Sequence, residues 1–182
     1  MLGRLSRHLG LFKHIGEFRF KGWLNRNASR VLSEAGVGRG QALLDFGCGS
    51  GTYAVPAAKL VGESGRVYAL DVSGRALDRL EERARREGLT NIVRMDSSGE
   101  AEIRLDDKSL DHVLLIDVLQ EISDRGALFD EILRTLKPGG AVTVFPMHLA
   151  EDEVMRLAAG RGLHLEDRRF DGRILIFRKP SG

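Results

Sequence analysis

Apolar and polar positions change period in blocks along this chain, and each period predicts an element. The first clear block is Leu43-Leu44-Asp45-Phe46, a buried-strand pattern that breaks into Gly47, Gly49 and Gly51 and then into a helical stretch over 53–60. Pro56 suits that helix only near its first turn, and the segment from Gly62 to Gly65 closes it. Residues 66–71 form a second strand. From Ser73, a natural N-cap, Ala76, Leu77, Leu80 and Ala84 make one apolar helical stripe. On the wet face Glu81 with Arg85 and Glu82 with Arg86 are spaced to pair at i,i+4, and Gly88 ends the helix. A third strand is predicted at 91–96 and a polar, turn-rich segment at 97–109. The fourth strand, 111–117, has an unbroken apolar centre, as expected of a parallel strand covered on both faces.

In the second half, Leu128, Ile132, Leu133 and Leu136 mark a helix that Lys137-Pro138-Gly139-Gly140 breaks with a turn. A fifth strand follows at 141–145, then a short helix over 151–159 with Val154, Leu157 and Ala158 facing inward. Two last strands, 163–170 and 173–177, are separated only by Asp171-Gly172, the pair favoured by a tight hairpin turn. Earlier strands are joined through helices and are predicted parallel, so the hairpin is the antiparallel exception. At the front, Ala28, Val31, Leu32 and Ala35 share a helical face that Gly36 ends, whereas 1–26 shows neither a strand nor a helix period. The pattern predicts an α/β fold: a three-layer sandwich around a mostly parallel seven-stranded sheet with an antiparallel terminal hairpin. A separate arm or cap over 1–26 precedes a main domain over 27–182.

Composition narrows the class. With 182 residues, 42% hydrophobic and 30% charged, the chain can bury one core but not two full domains. No window approaches the ~18 consecutive apolar residues of a membrane span, and the first residues carry no signal-peptide core, so a cytoplasmic location is expected. The lone Cys48 excludes an intramolecular disulfide and a Cys-rich metal site. Net charge is only +2, but residues 1–40 hold eight cations against Glu17 and Glu34. Three readings suit that basic opening with its Phe12, Phe18, Phe20 and Trp23: an amphipathic cap, a basic surface for nucleic acid or anionic lipid, or a partly disordered arm. The diffuse spread of the charge favours the cap.

The chemistry is concentrated where strands end. Asp71 closes the second strand about twenty residues beyond the glycines, where an acid grips the ribose hydroxyls of an adenine nucleoside. A dinucleotide loop would read G-x-G-x-x-G, but Thr52 stands at its third glycine. The loop is instead Asp45-Phe46-Gly47-Cys48-Gly49-Ser50-Gly51, and Asp96 ends the third strand as Asp71 ends the second.

With that loop, those acids, Leu136-Lys137-Pro138-Gly139-Gly140 and the terminal Asp-Gly hairpin, the chain from about residue 28 onward resembles the class I S-adenosylmethionine-dependent methyltransferases. The layout is similar to their type-11 group, which includes ubiquinone and menaquinone biosynthesis enzymes. The resemblance implies a Rossmann-like sheet, S-adenosyl-L-methionine as cofactor and S-adenosyl-L-homocysteine as product. It implies that Asp45 faces the ammonium end of the methionyl part, while Gly47, Cys48, Gly49 and Gly51 lay their backbone against the cofactor. Asp71, with Val72 beside it, would hold the ribose, Asp96 and Ser97 the adenine amino group, and Asp117 and Val118 the methionyl side.

Methyl transfer needs alignment and exclusion of water, and a base only if the acceptor must lose a proton. His148, after the fifth strand, lies at the carboxyl edge where ligands bind and is the candidate base or acceptor contact, whereas His112 starts a strand at the wrong edge. His8, His14, Phe18, Phe20 and Trp23 could reach the site only if the arm folds over it. Asp117-Val118-Leu119-Gln120 is not the Pro-Pro-aromatic signature of many nucleobase and amide methyltransferases, and the single cysteine argues against arsenite chemistry. A small-molecule acceptor is therefore expected. An RNA or protein acceptor docked on the basic arm, or a non-catalytic cofactor-binding partner subunit, are the alternatives, and a dehydrogenase is more distant.

Overall fold

The computed structural model describes residues 17–99 and 101–182. A helix over 17–26 (α1) leads into α2 (Ala28–Glu34), and then β1 (Ala42–Phe46), α3 (Ala54–Val61), β2 (Arg66–Asp71), α4 (Gly74–Arg86) and β3 (Ile92–Asp96) alternate. After a loop come β4 (Leu110–Ile116), a 3-10 turn at Leu119–Glu121, α5 (Arg125–Thr135), β5 (Leu136–Phe145), α6 (Glu151–Ala159), β6 (His164–Arg169) and β7 (Ile174–Arg178). The strands form one sheet in the order β3-β2-β1-β4-β5-β7-β6, in which β7 alone runs antiparallel to its neighbours.

Strand alternation divides the core between the two faces of this sheet. Leu43 and Leu114 point to the side covered by α1 to α4, against Leu24, Leu32, Ala57 and Leu77. Leu44, Val113 and Leu115 point to the side of α5 and α6, against Leu128, Ile132 and Val154. Strand β1 lies between β2 and β4, so the chain winds outward in both directions from β1. In an open parallel sheet the crevice at that reversal, beyond the carboxyl ends of the strands, is where ligands sit.

The Asp-Gly hairpin forms as expected: Asp171 and Gly172 have φ of 56° and 78°, and the Arg173 N–H donates to Phe170 O at 3.2 Å. Ser73 caps α4 by accepting from the Ala76 N–H at 3.3 Å. Three expectations are corrected. Leu136 leaves the helix and opens β5 opposite Leu110, and the Pro-Gly-Gly turn is absorbed as an irregularity in the strand, which regains register at Ala141 opposite His112. On α4, Glu81 reaches across to Arg94 of β3 at 3.1 Å instead of Arg85, and Arg83 pairs with Glu87. Residues 17–26 are helical although no period was evident, because the inward stripe of Glu17, Phe20, Lys21 and Leu24 mixes two charges with two apolar residues. Arg4, Arg7, Lys13, His8, His14 and Phe12 lie outside the described residues, as does the rest of the segment 1–16.

Candidate functional site

The glycine loop is stitched to the end of β2. The N–H groups of Gly47 and Cys48 both donate to Leu70 O, at 2.8 and 3.0 Å. A Cβ on Gly47 would stand 2.5 Å from Val118 Cγ2, so glycine is what lets the ends of β1 and β4 approach. Gly49, also at positive φ, has open space where its Cβ would be, which leaves a stretch of bare backbone beside the loop. Gly51 packs against Leu80 of α4 and has a structural place.

Asp71 is the organising carboxylate. Its Oδ2 accepts from the Gly49 N–H and its Oδ1 from the Ser73 N–H, each at 2.8 Å. Loop and helix start are thus both tied to the end of β2. The two oxygens retain further lone pairs toward a cleft of about 390 Å³. Of the residues singled out in sequence, Gly47, Asp71, Val72, Ser97, Asp117 and Val118 line this cleft. Val72 is 65% exposed at its rim, and the Ser97 N–H donates to Asp71 O at 3.0 Å. Gly99, Glu121 and Ile122 also line it and were not anticipated. They sit in loops whose only sequence signal was polarity, and the 3-10 turn after β4 has no period to read.

Gly49 and Gly51, described above, are not part of the lining, and four more of the predicted residues lie elsewhere. Asp96 is exposed and forks with Arg94, Oδ2 to Nε at 2.8 Å and Oδ1 to Nη2 at 2.9 Å, which holds its carboxyl below the usual range. The Cys48 side chain is buried, and burial pushes the thiol well above its usual pKa. His148, at φ 65°, is exposed after β5 with its Nδ1 3.6 Å from Glu17 Oε2 of α1, outside the cleft. Asp45 faces the α3 side of the sheet, 2% exposed, where the Ala54 N–H at the start of α3 donates to it. Its Oδ2 has no hydrogen-bond partner, and burial, with the nearby Asp71 charge adding to it, raises its pKa to about 7.

Acidic side chains gather at the carboxyl edge of the sheet, where Asp45, Asp71 and Asp117 stand at or near strand ends. Burial, then Asp45, then Asp117 push up the pKa of the Tyr53 phenol, so both carboxylates act on one point. Asp117 itself has φ 56°, takes a hydrogen bond from Gln120 Nε2 at 3.0 Å and forms an ion pair with Lys21 of α1. Beside this edge stands an aromatic wall. Phe20 stacks on Trp23 at 5.8 Å and meets Phe145 edge-on at 5.6 Å, and Trp23 leans on Phe170 at 5.3 Å.

The methyltransferase-domain family matches residues 44–144, from β1 through β5. The chain belongs to the class I S-adenosylmethionine-dependent methyltransferases. Among curated relatives of this type-11 domain, it is 32% identical over 113 residues to a demethylmenaquinone methyltransferase of Staphylococcus aureus, covering 62% of this chain and 46% of the relative. It is 27% identical over 136 residues to one of Lactobacillus johnsonii, covering 75% of this chain and 54% of the relative. The chain therefore spans about half the length of these relatives. Among solved structures, a SAM-dependent methyltransferase from Aquifex aeolicus superposes with a TM-score of 0.71 at 25% identity, over 84% of this chain and 88% of the other.

The residues present fit the family's cofactor. At the cleft, Asp71 offers a carboxylate with lone pairs to spare for hydroxyl donors, and Val72, Val118 and Ile122 offer apolar walls against which a flat base could lie. The unsatisfied, buried Asp45 oxygen and the Asp117 carboxylate offer acceptors for a cationic group. Among the described residues no helix is long and apolar enough to cross a membrane.

Proposed function

We propose that this protein transfers a methyl group from S-adenosylmethionine to a small-molecule acceptor of the quinone-precursor class. The observation that carries the reading is Asp71: a strand-ending carboxylate fixed by the Gly49 and Ser73 N–H groups and turned to the cleft between β2 and β4. Bound there, the cofactor supplies an electrophilic methyl carbon on a sulfonium. The protein's share is positional. Asp71 accepts hydrogen bonds from the ribose hydroxyls, Ser97 stands at the adenine end while the Asp96 carboxylate is engaged by Arg94, and Val72 and Val118 enclose the nucleoside. Gly47, Cys48 and Gly49 present backbone to the methionyl chain, Gly51 supports the loop from behind against Leu80, and Asp45 and Asp117 balance the ammonium.

The acceptor reading draws on the demethylmenaquinone methyltransferase relatives and on the wall of Phe20, Trp23, Phe145 and Phe170, which suits an apolar ring. Helix α1 and the His148 loop border that wall, so we assign acceptor recognition to them. His148 is the group placed to take a proton from a hydroxyl-bearing acceptor, with Glu17 orienting its imidazole. The test is calorimetry with S-adenosylhomocysteine, followed by label transfer from methyl-labelled cofactor to demethylated naphthoquinols and simpler phenols. Asp71→Ala is expected to weaken binding of S-adenosylhomocysteine roughly tenfold or more, since a charge-assisted pair of hydrogen bonds is lost. Unaltered affinity in that variant would move the ribose elsewhere, and absence of label transfer across the panel would remove the acceptor class.

A further inference from the structure

An amphipathic helix usually turns apolar residues inward, but the inner face of α1 alternates them with charges. Phe20 and Leu24 pack into the core, whereas Glu17 and Lys21, on the same stripe, reach His148 and Asp117. The Lys21–Asp117 contact joins positions 96 residues apart, across the end of β4 and at the mouth of the methionyl side of the site. The Asp117 side chain is only 13% exposed, and a buried carboxylate of this kind needs a cation beside it. Its Oδ1 accepts from Gln120 and its Oδ2 from Lys21; lone pairs remain on both oxygens, but an ammonium added beside Lys21 would set two cations on one carboxylate. Replacing the neutral amide would leave two cations side by side. Replacing Lys21 exchanges one ammonium for another, and the charge of the site is unchanged.

We propose that Lys21 is the resident counter-cation of Asp117 and that the cofactor's ammonium displaces it, so that cofactor binding and the seating of α1 are linked. The inference rests on the cofactor reading above. Two features of α1 suit the exchange. Lys21 is 37% exposed and can swing into water without stranding a buried charge. Gly22, next to it in the helix interior, has no side chain to pack, and a Cβ there would meet only the Arg26 side chain, at 3.6 Å, so glycine is not required by space and the helix is weakest beside the residue that must move. Because Phe20 and Trp23 sit on the same helix and form the aromatic wall, loss of the Lys21 contact alters the acceptor side only after the cofactor has bound. The linkage thus imposes an order: cofactor first, acceptor second.

Two ligands separate this exchange from a loosening of the helix: S-adenosylhomocysteine, which carries the ammonium, and 5′-methylthioadenosine, which shares the nucleoside and lacks it. In Lys21→Met, calorimetry should show S-adenosylhomocysteine bound roughly three- to tenfold tighter than by wild type, the order of a partly exposed ion pair, with methylthioadenosine unchanged. Lys21→Arg, which keeps the counter-cation, should behave as wild type toward both. Weaker binding of S-adenosylhomocysteine by Lys21→Met would overturn the proposal, because Lys21 would then be a contact for the cofactor's carboxylate. An equal change for both ligands, or for neither, overturns it as well. If wild type and both variants bind methylthioadenosine and not S-adenosylhomocysteine, the exchange is wrong while the nucleoside assignment stands. Failure to bind either ligand removes the cofactor reading, and the exchange with it.

Discussion

Asp45 shows how one residue can be both a structural strain and a functional asset. It accepts from the first N–H of α3, so it anchors the helix that follows the glycine loop, yet its other oxygen is buried without a partner. Burial holds its pKa near 7 against an ordinary 3.8, so the folded chain keeps a proton that the unfolded chain gives up. The stability this contributes is complete below about pH 4 and is lost as pH rises toward 7. His112 works in the opposite sense. Burial lowers it to about 4 from 6.5, so its contribution is complete above pH 6.5 and is lost as pH falls through about 4. Asp45→Asn should remove the first effect alone. Its stability relative to wild type is expected to rise by about 2–4 kcal/mol between pH 4 and pH 8, read from urea unfolding at each pH. A difference that stays flat with pH would mean that Asp45 is ionised in the folded protein at all these values. In sequence Asp45 was visible as an acid before glycines, but not as a buried one, because burial depends on α3 closing over it.

At the scale of elements, α1 departs most from what its residues announced. Its inward positions at i, i+3, i+4 and i+7 are Glu17, Phe20, Lys21 and Leu24, and the two charges hide the helical stripe from any reading of hydropathy. They are tolerated there because each meets an opposite partner from another part of the chain, Glu17 at His148 and Lys21 at Asp117. Leu24 is fully buried with Ala28 and Leu32 in the core on that side of the sheet, so α1 is held by packing as well as by charge. Leu24→Ala should therefore cost about 2–5 kcal/mol in chemical unfolding. Phe18, on the outward face and 72% exposed, supplies the control, and Phe18→Ser should stay within about 0.5 kcal/mol of wild type. Equal, small effects at both positions would show that α1 does not belong to the core. The pairs on α4 carry the complementary lesson. Spacing allowed Glu81 to meet Arg85, but Arg94 on β3 was nearer to a multiple partner, bonding Asp78, Glu81 and Asp96 together.

For the whole molecule, the question is whether the opening helix and the sheet domain melt together. Trp23 is the single tryptophan and lies in α1 against Phe20 and Phe170, so its fluorescence reports on the docking of α1, whereas far-UV circular dichroism reports on the sheet and all helices. We expect the two signals to change at the same urea concentration, since Leu24 shares a core with Leu43, Ala57 and Leu77. An earlier fluorescence transition would identify α1 as a separately docked unit. Saturating S-adenosylhomocysteine, at about a hundred times its dissociation constant, should stabilise the main transition by about 2.7 kcal/mol.

What the sequence determined by itself was everything that depends on neighbours along the chain. Periods of two and of 3.6 placed the strands and most helices, Ser73 and Asp171-Gly172 marked a helix start and a reversal, and the glycines between Asp45 and Thr52 marked a ligand turn. These are local because caps, turns and burial stripes are decided within a few residues. The tertiary structure alone decided which strand ends adjoin and which charges meet. It brought Val118 against Gly47, turned Asp96 to Arg94 and away from the cleft, put Ile122 into the cleft wall, and set Lys21 on Asp117. Those contacts join residues from 2 to 96 positions apart, and even the nearest of them is settled by what the rest of the sheet leaves open. Asp45 through Gly51 could thus announce a donor site, while the side facing the acceptor existed only once α1 had folded across the end of the sheet.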